Sequence, residues 1–311
     1  FTDTDGKWTE SMRGWWNSIS GADLNGDGHT DYILGNYGLN NKFKHGLSVH
    51  YGDLDGNGKS DIVLAHNEDE GYFPIRGREC SSEQMPDLQA KFPDYESFAR
   101  AQLVDIYPNA TGDTPKLEAW EFGSVGLWND GEGGLKRFEL PDAAQVSPVF
   151  GTVVRDFDMD AKPDVLLTGN FYAPEVETGR QDAGTGLMLA GKFEGDTDFT
   201  PRDAYSTGFL TPDDVRAMAL TYDGIYPVLL VTNNDGDLQS FVYRQATGKG
   251  SHFEADEAYA IMEFKDGKRM KIERYWGSGY LSQSSQFVQI TQKTAKLTFY
   301  KLSGEAREIE M

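Results

Sequence analysis

The chain has 311 residues, 38% hydrophobic and 25% charged, with 50 acidic side chains against 29 basic ones and a formal net charge of −21. A surface that acidic repels phosphate backbones and anionic lipid, which argues against nucleic acid as a partner, and no apolar run reaches the roughly 18 residues of a membrane span. The lone cysteine, Cys80, excludes an intrachain disulfide, so a secreted form would have to be stiffened otherwise, metal being one way.

The chain opens on Phe1-Thr2-Asp3 with no initiator Met, the start expected of a processed or truncated product. A strand-like Ser18-Ile19-Ser20 leads into the acidic loop Asp23-Leu24-Asn25-Gly26-Asp27-Gly28-His29-Thr30-Asp31 and out along Tyr32-Ile33-Leu34. Leu47-Ser48-Val49 leads into Asp53-Leu54-Asp55-Gly56-Asn57-Gly58-Lys59-Ser60-Asp61 and out along Ile62-Val63-Leu64. Residues 81–106 read as a short helical insert. Ser81-Ser82-Glu83-Gln84 suits a helix cap, apolar residues recur at Leu88, Phe92, Tyr95, Phe98, Leu103 and Ile106, and Pro86 and Pro93 split the run. Strands resume at 116–122 and 124–128, with Asn129-Asp130-Gly131 as a turn.

Gly151-Thr152-Val153-Val154 then leads into a third acidic loop, Asp156-Phe157-Asp158-Met159-Asp160-Ala161-Lys162-Pro163-Asp164, followed by Val165-Leu166-Leu167. Residues 184–193 predict a further strand pair. Residues 215–220 and 227–232 predict a fourth hairpin around Asp223-Gly224, with Pro227 where a closing Asp is expected, and it reads as a repeat without metal. From about Phe253, alternating segments at 258–264, 269–275, 287–291 and 295–301 predict a small antiparallel β-module over 253–311, with turns at Asp266-Gly267 and Ser303-Gly304.

The three acidic loops share Asp-x-[Asp/Asn]-x-[Asp/Asn]-[Gly/Ala]-x-x-Asp. Alternate side chains of a tightly wound loop converge, so positions 1, 3 and 5 offer hard oxygens to one cation and position 9 closes the shell. Position 7 adds a backbone carbonyl. The predicted ligands are therefore Asp23, Asn25, Asp27, His29 and Asp31; Asp53, Asp55, Asn57, Lys59 and Asp61; and Asp156, Asp158, Asp160, Lys162 and Asp164. An oxygen-only, carboxylate-rich set selects Ca²⁺, two or three ions in all. An EF-hand would need a Glu at position 12 and flanking helices, and Leu34, Leu64 and Leu167 stand there instead. Ala161 replaces glycine at position 6, which makes the third loop the least regular of the three.

Strand–loop–strand hairpins of this kind, followed by Gly-Asn, resemble the FG-GAP/VCBS repeats of integrin-like propellers. They are more similar still to bacterial surface proteins, best known from Bacteroidetes, that combine VCBS repeats with an ASPIC/UnbV-type C-terminal region. The segments that carry the resemblance are Gly14-Trp15-Trp16-Asn17-Ser18-Ile19, Gly35-Asn36-Tyr37-Gly38-Leu39-Asn40, Ser147-Pro148-Val149-Phe150-Gly151, Gly169-Asn170-Phe171-Tyr172, Glu175-Val176-Glu177-Thr178-Gly179-Arg180 and Tyr275-Trp276-Gly277-Ser278-Gly279-Tyr280-Leu281-Ser282-Gln283-Ser284. The resemblance implies an all-β fold: a partial set of propeller blades over 1–252 with calcium loops on one rim, then the β-module. It also implies a longer parent chain or a partner subunit that supplies the remaining blades. Asp23 and Asp53 lie too close in sequence for two blades of about 40 residues, so either the blades are thin or both hairpins share one.

Catalytic candidates are few. The histidines show no metal-ligand spacing, and Gly277-Ser278-Gly279 is not a nucleophile elbow. The expected function is non-enzymatic: binding, adhesion or scaffolding at an extracellular or outer-membrane surface, in a secreted or lipoprotein-anchored chain, with a surface glycan or protein as ligand. Candidate contact residues are Tyr37, Tyr72, Arg76, Arg78, Tyr172 and Arg180, since rings stack on apolar sugar faces while amides and guanidinium groups read hydroxyls and carboxylates. The alternative is a calcium-dependent polysaccharide lyase or another glycan-degrading propeller enzyme, for which His66, Tyr72 and Arg76 would be the natural site.

Overall fold

The structure is a computed structural model that describes residues 12–68, 71–110, 114–174, 178–192, 199–244, 250–279 and 282–309. Strand is the dominant element and every ladder between named strands is antiparallel. The chain divides into two compact units. One comprises Leu39–Phe122 with the described parts of Phe1–Trp15 and Ala173–Arg180, and the other takes the rest.

The first hairpin, β1 (Ser18–Ala22) and β2 (Asp31–Gly35), belongs to the larger unit. The chain then builds the smaller unit from β3 (Leu47–Gly52), β4 (Asp61–Glu68), β5 (Gly71–Pro74), four short helices and β6 (Lys116–Ala119), with strand order β5-β4-β3-β6. It returns as β7 (Val125–Asn129), which pairs with β2, and β8 (Leu135–Glu139), completing the order β1-β2-β7-β8. Residues 39–122 are thus inserted between two neighbouring strands of one sheet. This explains the short spacing of the first two loops, because each hairpin lies in its own sheet.

The helices are α1 (Arg78–Gln84), α2 (Leu88–Lys91), α3 (Tyr95–Ala99) and α4 (Leu103–Ile106). None is long enough to be stable alone. They form because Met85, Leu88, Phe92, Phe98, Leu103 and Ile106 bury themselves with Val63 and Ala65 of β4. Ser81 does not cap α1, which starts three residues earlier; Ser81 and Ser82 lie buried inside it. Asp94 caps α3 by accepting from the Ser97 amide. Arg78 donates to the carbonyls of Phe92 (2.6 Å) and Pro93 (3.4 Å), and its guanidinium lies 5.6 Å from the centre of the Tyr95 ring.

In the larger unit β9 (Gly151–Arg155), β10 (Asp164–Thr168), β11 (Leu187–Ala190) and β12 (Thr200–Asp203) form a meander, after which comes a one-turn helix, α5 (Ala204–Thr207). Next come β13 (Val215–Tyr222), β14 (Pro227–Asn233) and β15 (Gln239–Val242) in a three-stranded sheet. The C-terminal segment contributes β16 (Gly250–His252), β17 (Glu257–Phe264), β18 (Arg269–Glu273), β19 (Phe287–Gln289), β20 (Thr294–Lys301) and β21 (Ala306–Ile309). Four of these form the sheet β18-β17-β20-β21, while β19 pairs with β16. Arg307 of β21 reaches across β20 to the buried Glu257 carboxylate with two contacts of 2.7 and 2.8 Å, so that charge is paired rather than stranded.

His50 of β3 is 5% exposed; Ser48 Oγ lies 3.0 Å from its Nε2, and its Nδ1 has no hydrogen-bond partner among the described residues. Burial, aided by the Lys116 ammonium and opposed by Glu118, holds its pKa below the ordinary 6.5. The unfolded chain therefore takes up a proton near pH 6.5 that the folded chain refuses, so the stability His50 contributes is present above that pH and lost below it. His50→Gln should gain in melting temperature relative to the wild type as pH falls from 7 to 5. Parallel melting curves would refute this.

Candidate metal centre

The three acidic loops share one register. The closing Asp is the first residue of the second strand and pairs across the hairpin with the residue before the opening Asp: Ala22 with Asp31, Gly52 with Asp61, Arg155 with Asp164. Position 2 is the anchor, because Leu24, Leu54 and Phe157 are buried in their cores at 2%, 1% and 7% exposure. The shared spacing motif leaves position 2 unspecified, although it is apolar in all three loops.

Within each loop the hydrogen bonds also repeat. The position-9 carboxylate accepts from the position-2 amide, at 2.9 Å for Leu24 to Asp31, 3.0 Å for Leu54 to Asp61 and 2.8 Å for Phe157 to Asp164. The opening carboxylate accepts from Gly26 and Gly28 in the first loop, from Gly56, Asn57 and Gly58 in the second, and from Asp160 and Ala161 in the third. Position 3 accepts from the position-5 amide, and position 5 accepts from the amides of His29, Lys59 and Lys162. These bonds fix the side-chain oxygens of each loop against its own backbone.

Positions 4 and 6 are left-handed in every loop: Gly26 and Gly28 at φ 79° and 89°, Gly56 and Gly58 at 81° and 82°, Met159 and Ala161 at 63° and 69°. A side chain at Gly28, Gly56 or Gly58 would meet nothing within 4 Å, so backbone conformation rather than space asks for glycine. The third loop adopts the same path with two residues that resist it.

Asp53, Asp55 and Asp61 each bring a carboxylate oxygen within 4.8 Å of the others, and so do Asp156, Asp158 and Asp164. The first loop has Asn25 at position 3 and so offers an amide oxygen where the others have a carboxylate. Burial, with smaller contributions from neighbouring carboxylates, pushes Asp31 and Asp156 up to about 6 and Asp164 up to about 7. Such crowding of oxygens, with no sulfur or imidazole donor in either triad, suits a hard divalent cation. The fourth hairpin keeps the register, pairing Tyr222 with Pro227. Its Asp223 carboxylate is occupied by the amides of Ile225 and Tyr226.

The candidate ligand-contact residues have diverse placements. Tyr37 is 1% exposed, and burial pushes its hydroxyl up to about 12, so its ring packs edge-on against Phe171 instead of facing a ligand. The flanking Asn36 and Asn170 are buried staples. Asn36 donates to the Gly123 carbonyl and Asn170 to those of Gly184 and Pro212. Arg78 is spent on the helix clamp described above. Tyr72 is half-buried with its hydroxyl 3.4 Å from Glu118, Tyr172 donates to the Pro212 carbonyl at 2.7 Å, Arg76 is half-buried and Arg180 is exposed. Glu175, Glu177, Tyr280 and Leu281 lie outside the described residues.

The trio of His66, Tyr72 and Arg76 is not assembled. In the β4–β5 ladder His66 pairs with Phe73 and Asn67 with Tyr72, so the His66 and Tyr72 side chains leave opposite faces of the sheet. His66 packs against Phe73 and bonds Glu68, while Tyr72 meets His50.

Neither a scan against protein-family models nor a search of curated proteins matched this chain. The reading of the site rests on its geometry.

The left-handed non-glycine residues give a stability test. A left-handed residue with a side chain costs about 1–2 kcal/mol, and glycine returns about 0.5–1 kcal/mol of that as unfolded-chain entropy. Ala161→Gly should therefore stabilise the protein by up to about 1 kcal/mol, whereas Gly28→Ala should destabilise it. A denaturant series in which both changes destabilise equally would contradict the conformational account.

Proposed function

We propose that this chain is a calcium-binding segment of an FG-GAP/VCBS-type β-propeller that acts as a non-enzymatic binding or scaffolding module outside the cell. The observation that carries the reading is the threefold recurrence of one hairpin, with the same strand register, inward hydrogen bonds and left-handed positions. Meandering sheets such as β12-β11-β10-β9 are the unit from which propeller blades are built. The resemblance to VCBS proteins with an ASPIC/UnbV-type C-terminal region supports the placement at a cell surface. No helix among the described residues is long and apolar enough to cross a membrane.

Calcium fits these loops better than magnesium because a loop of five oxygen donors can wrap a large ion, whereas Mg²⁺ gives up its water reluctantly. The carbonyls of His29, Lys59 and Lys162 complete the sets at position 7. Each ion would relieve carboxylate repulsion that the metal-free fold must otherwise bear, so binding is folding energy. The rigid loops would then present a glycan or protein ligand with surfaces already ordered, which lowers the entropic cost of capture. Arg180 and Arg76 are the basic groups suited to a carboxylated ligand on an acidic surface. A lyase reading would need another base, since its proposed trio is dispersed.

Chelation should lower the melting temperature by several degrees, with Ca²⁺ restoring it and Mg²⁺ restoring little; an unchanged melt in excess chelator would remove the structural-calcium claim. On a glycan array, Arg180→Ala should weaken capture while leaving the melt unaltered. Turnover of a uronate polymer, seen as new ultraviolet absorbance, would instead establish an enzyme.

A further inference from the structure

The three loops differ in what holds the oxygens left over once the backbone amides have been served. In the first loop Asp27 Oδ1 accepts from the His29 amide, and Oδ2 accepts from the neutral Asn25 side chain at 2.9 Å. In the second, Asp55 Oδ1 accepts from the Asn57 amide, and Oδ2 accepts from the Asn57 side chain at 2.8 Å. The third loop has Asp at both positions 3 and 5, and cations stand where the asparagine amides stood. Asp158 Oδ1 takes the Asp160 amide, while Oδ2 is held by Arg202 at 3.2 Å. Asp160 Oδ1 takes the Lys162 amide, while Oδ2 lies 3.3 Å from the Lys162 ammonium.

Arg202 comes from β12, two strands away from β10, so this charge is supplied by the fold and not by the loop. Asp158 is one of the three carboxylates that converge in the third loop, and Oδ2 is its oxygen free of backbone bonds. The guanidinium also has somewhere to go. It lines a cavity of about 540 Å³ together with Phe157, Ser206, Thr207 and Tyr243.

We propose that Arg202 is a built-in rival of the cation at the third loop: it neutralises Asp158 while the loop is empty, and an entering ion must displace it toward the adjoining cavity. This rests on the reading of the loops as cation sites and adds a residue that sets the affinity of one of them. Charge balance makes the exchange sensible. Four carboxylates, Asp156, Asp158, Asp160 and Asp164, crowd the third loop against three in each of the others, and like charges that close must be offset by an ion or by side chains. Arg202 offsets them at the cost of competing with the ion. The third loop is therefore weaker than its carboxylate count implies, and its metal-free form is better tolerated.

The test is a terbium titration read by luminescence excited through Tyr243, whose ring lies 6.1 Å from that of Phe157 inside the third loop. The difference between the wild type and Tyr243→Phe isolates that site. Arg202→Gln and Arg202→Met, the latter keeping the apolar stem in place, should tighten terbium there by about two- to fivefold, the size expected for an ion pair this exposed. Arg202→Lys should stay near the wild type. The shift in melting temperature on adding Ca²⁺ should also be larger in Arg202→Gln, because its metal-free form has lost the stand-in charge. Unchanged or weaker terbium binding in Arg202→Gln and Arg202→Met would overturn the rivalry alone. No Tyr243-dependent signal in either the wild type or the variants would overturn the cation reading of this loop beneath it.

Discussion

The carboxylate at the start of each second strand, Asp31, Asp61 or Asp164, ties a loop to its sheet. One oxygen accepts from the position-2 amide and closes the loop. The other leaves the hairpin: Asp31 accepts from Asn129 at the end of β7, Asp164 from Gly191 just after β11, and Asp61 from the Gln84 side chain of α1. Each carboxylate is nearly buried, at 0%, 6% and 1% exposure. A buried carboxylate is costly unless hydrogen-bonded or paired, so the loop, the strand beside it and the group that fills the loop become conditions of one another. Deleting any of them leaves a charge stranded.

That dependence shapes the rest of the molecule. The apolar residue at position 2 goes into the core because its amide must meet the closing Asp, and its neighbours there are supplied by other elements: Leu54 by the helices, Leu24 by Phe138, Leu140 and Val149, Phe157 by Leu166, Leu220 and Leu229. The insertion of 39–122 does not break the first sheet, because Asn36 and Ser124 lock the two ends of the gap. The Asn36 amide nitrogen donates to Ser124 Oγ, its side chain donates to the Gly123 carbonyl, and Gln145 exchanges two bonds with the Ser124 backbone. A Gly-Asn pair following a hairpin is a brace here, not a contact surface.

Much of this was legible because the information is local. The spacing of the acidic positions sets the loop length, loop length sets the register, and the short apolar runs after each loop make the second strand. The short helices followed from Pro86 and Pro93 among regularly spaced apolar residues. What stayed hidden is what depends on distant partners. The pairing of β2 with β7 spans the whole insertion, so no local pattern marks 39–122 as a unit. Tyr37 reads as an exposed aromatic until Phe171 and the buried asparagines are seen around it. His66 and Tyr72 are close in sequence, yet pairing parity sends them to opposite faces. The left-handed position 4 was visible as glycine in two loops, but Met159 concealed it as a shared requirement.

The third loop shows how a repeat can be retuned without losing its shape. Glycine at positions 4 and 6 is free to take the left-handed conformation, whereas Met159 and Ala161 take it under strain, and the strain persists because the strand register and the Asp164 bonds dictate the path. Burial and charge crowding push Asp156 up to about 6 and Asp164 up to about 7, and the half-buried Lys162 of the loop and the exposed Arg202 of β12 answer that charge. The first two loops, with an asparagine in place of one carboxylate and glycines at the bends, have neither the excess charge nor the strain to offset. A shared register and backbone path thus conceal two designs: loops shaped by relaxed backbone and neutral amides, and a loop held on the same path by its surroundings. A cation would stabilise the first kind by completing it. In the third it would also have to replace charges already in place, so the repeats would respond unequally to the same ion although their hairpins share one register.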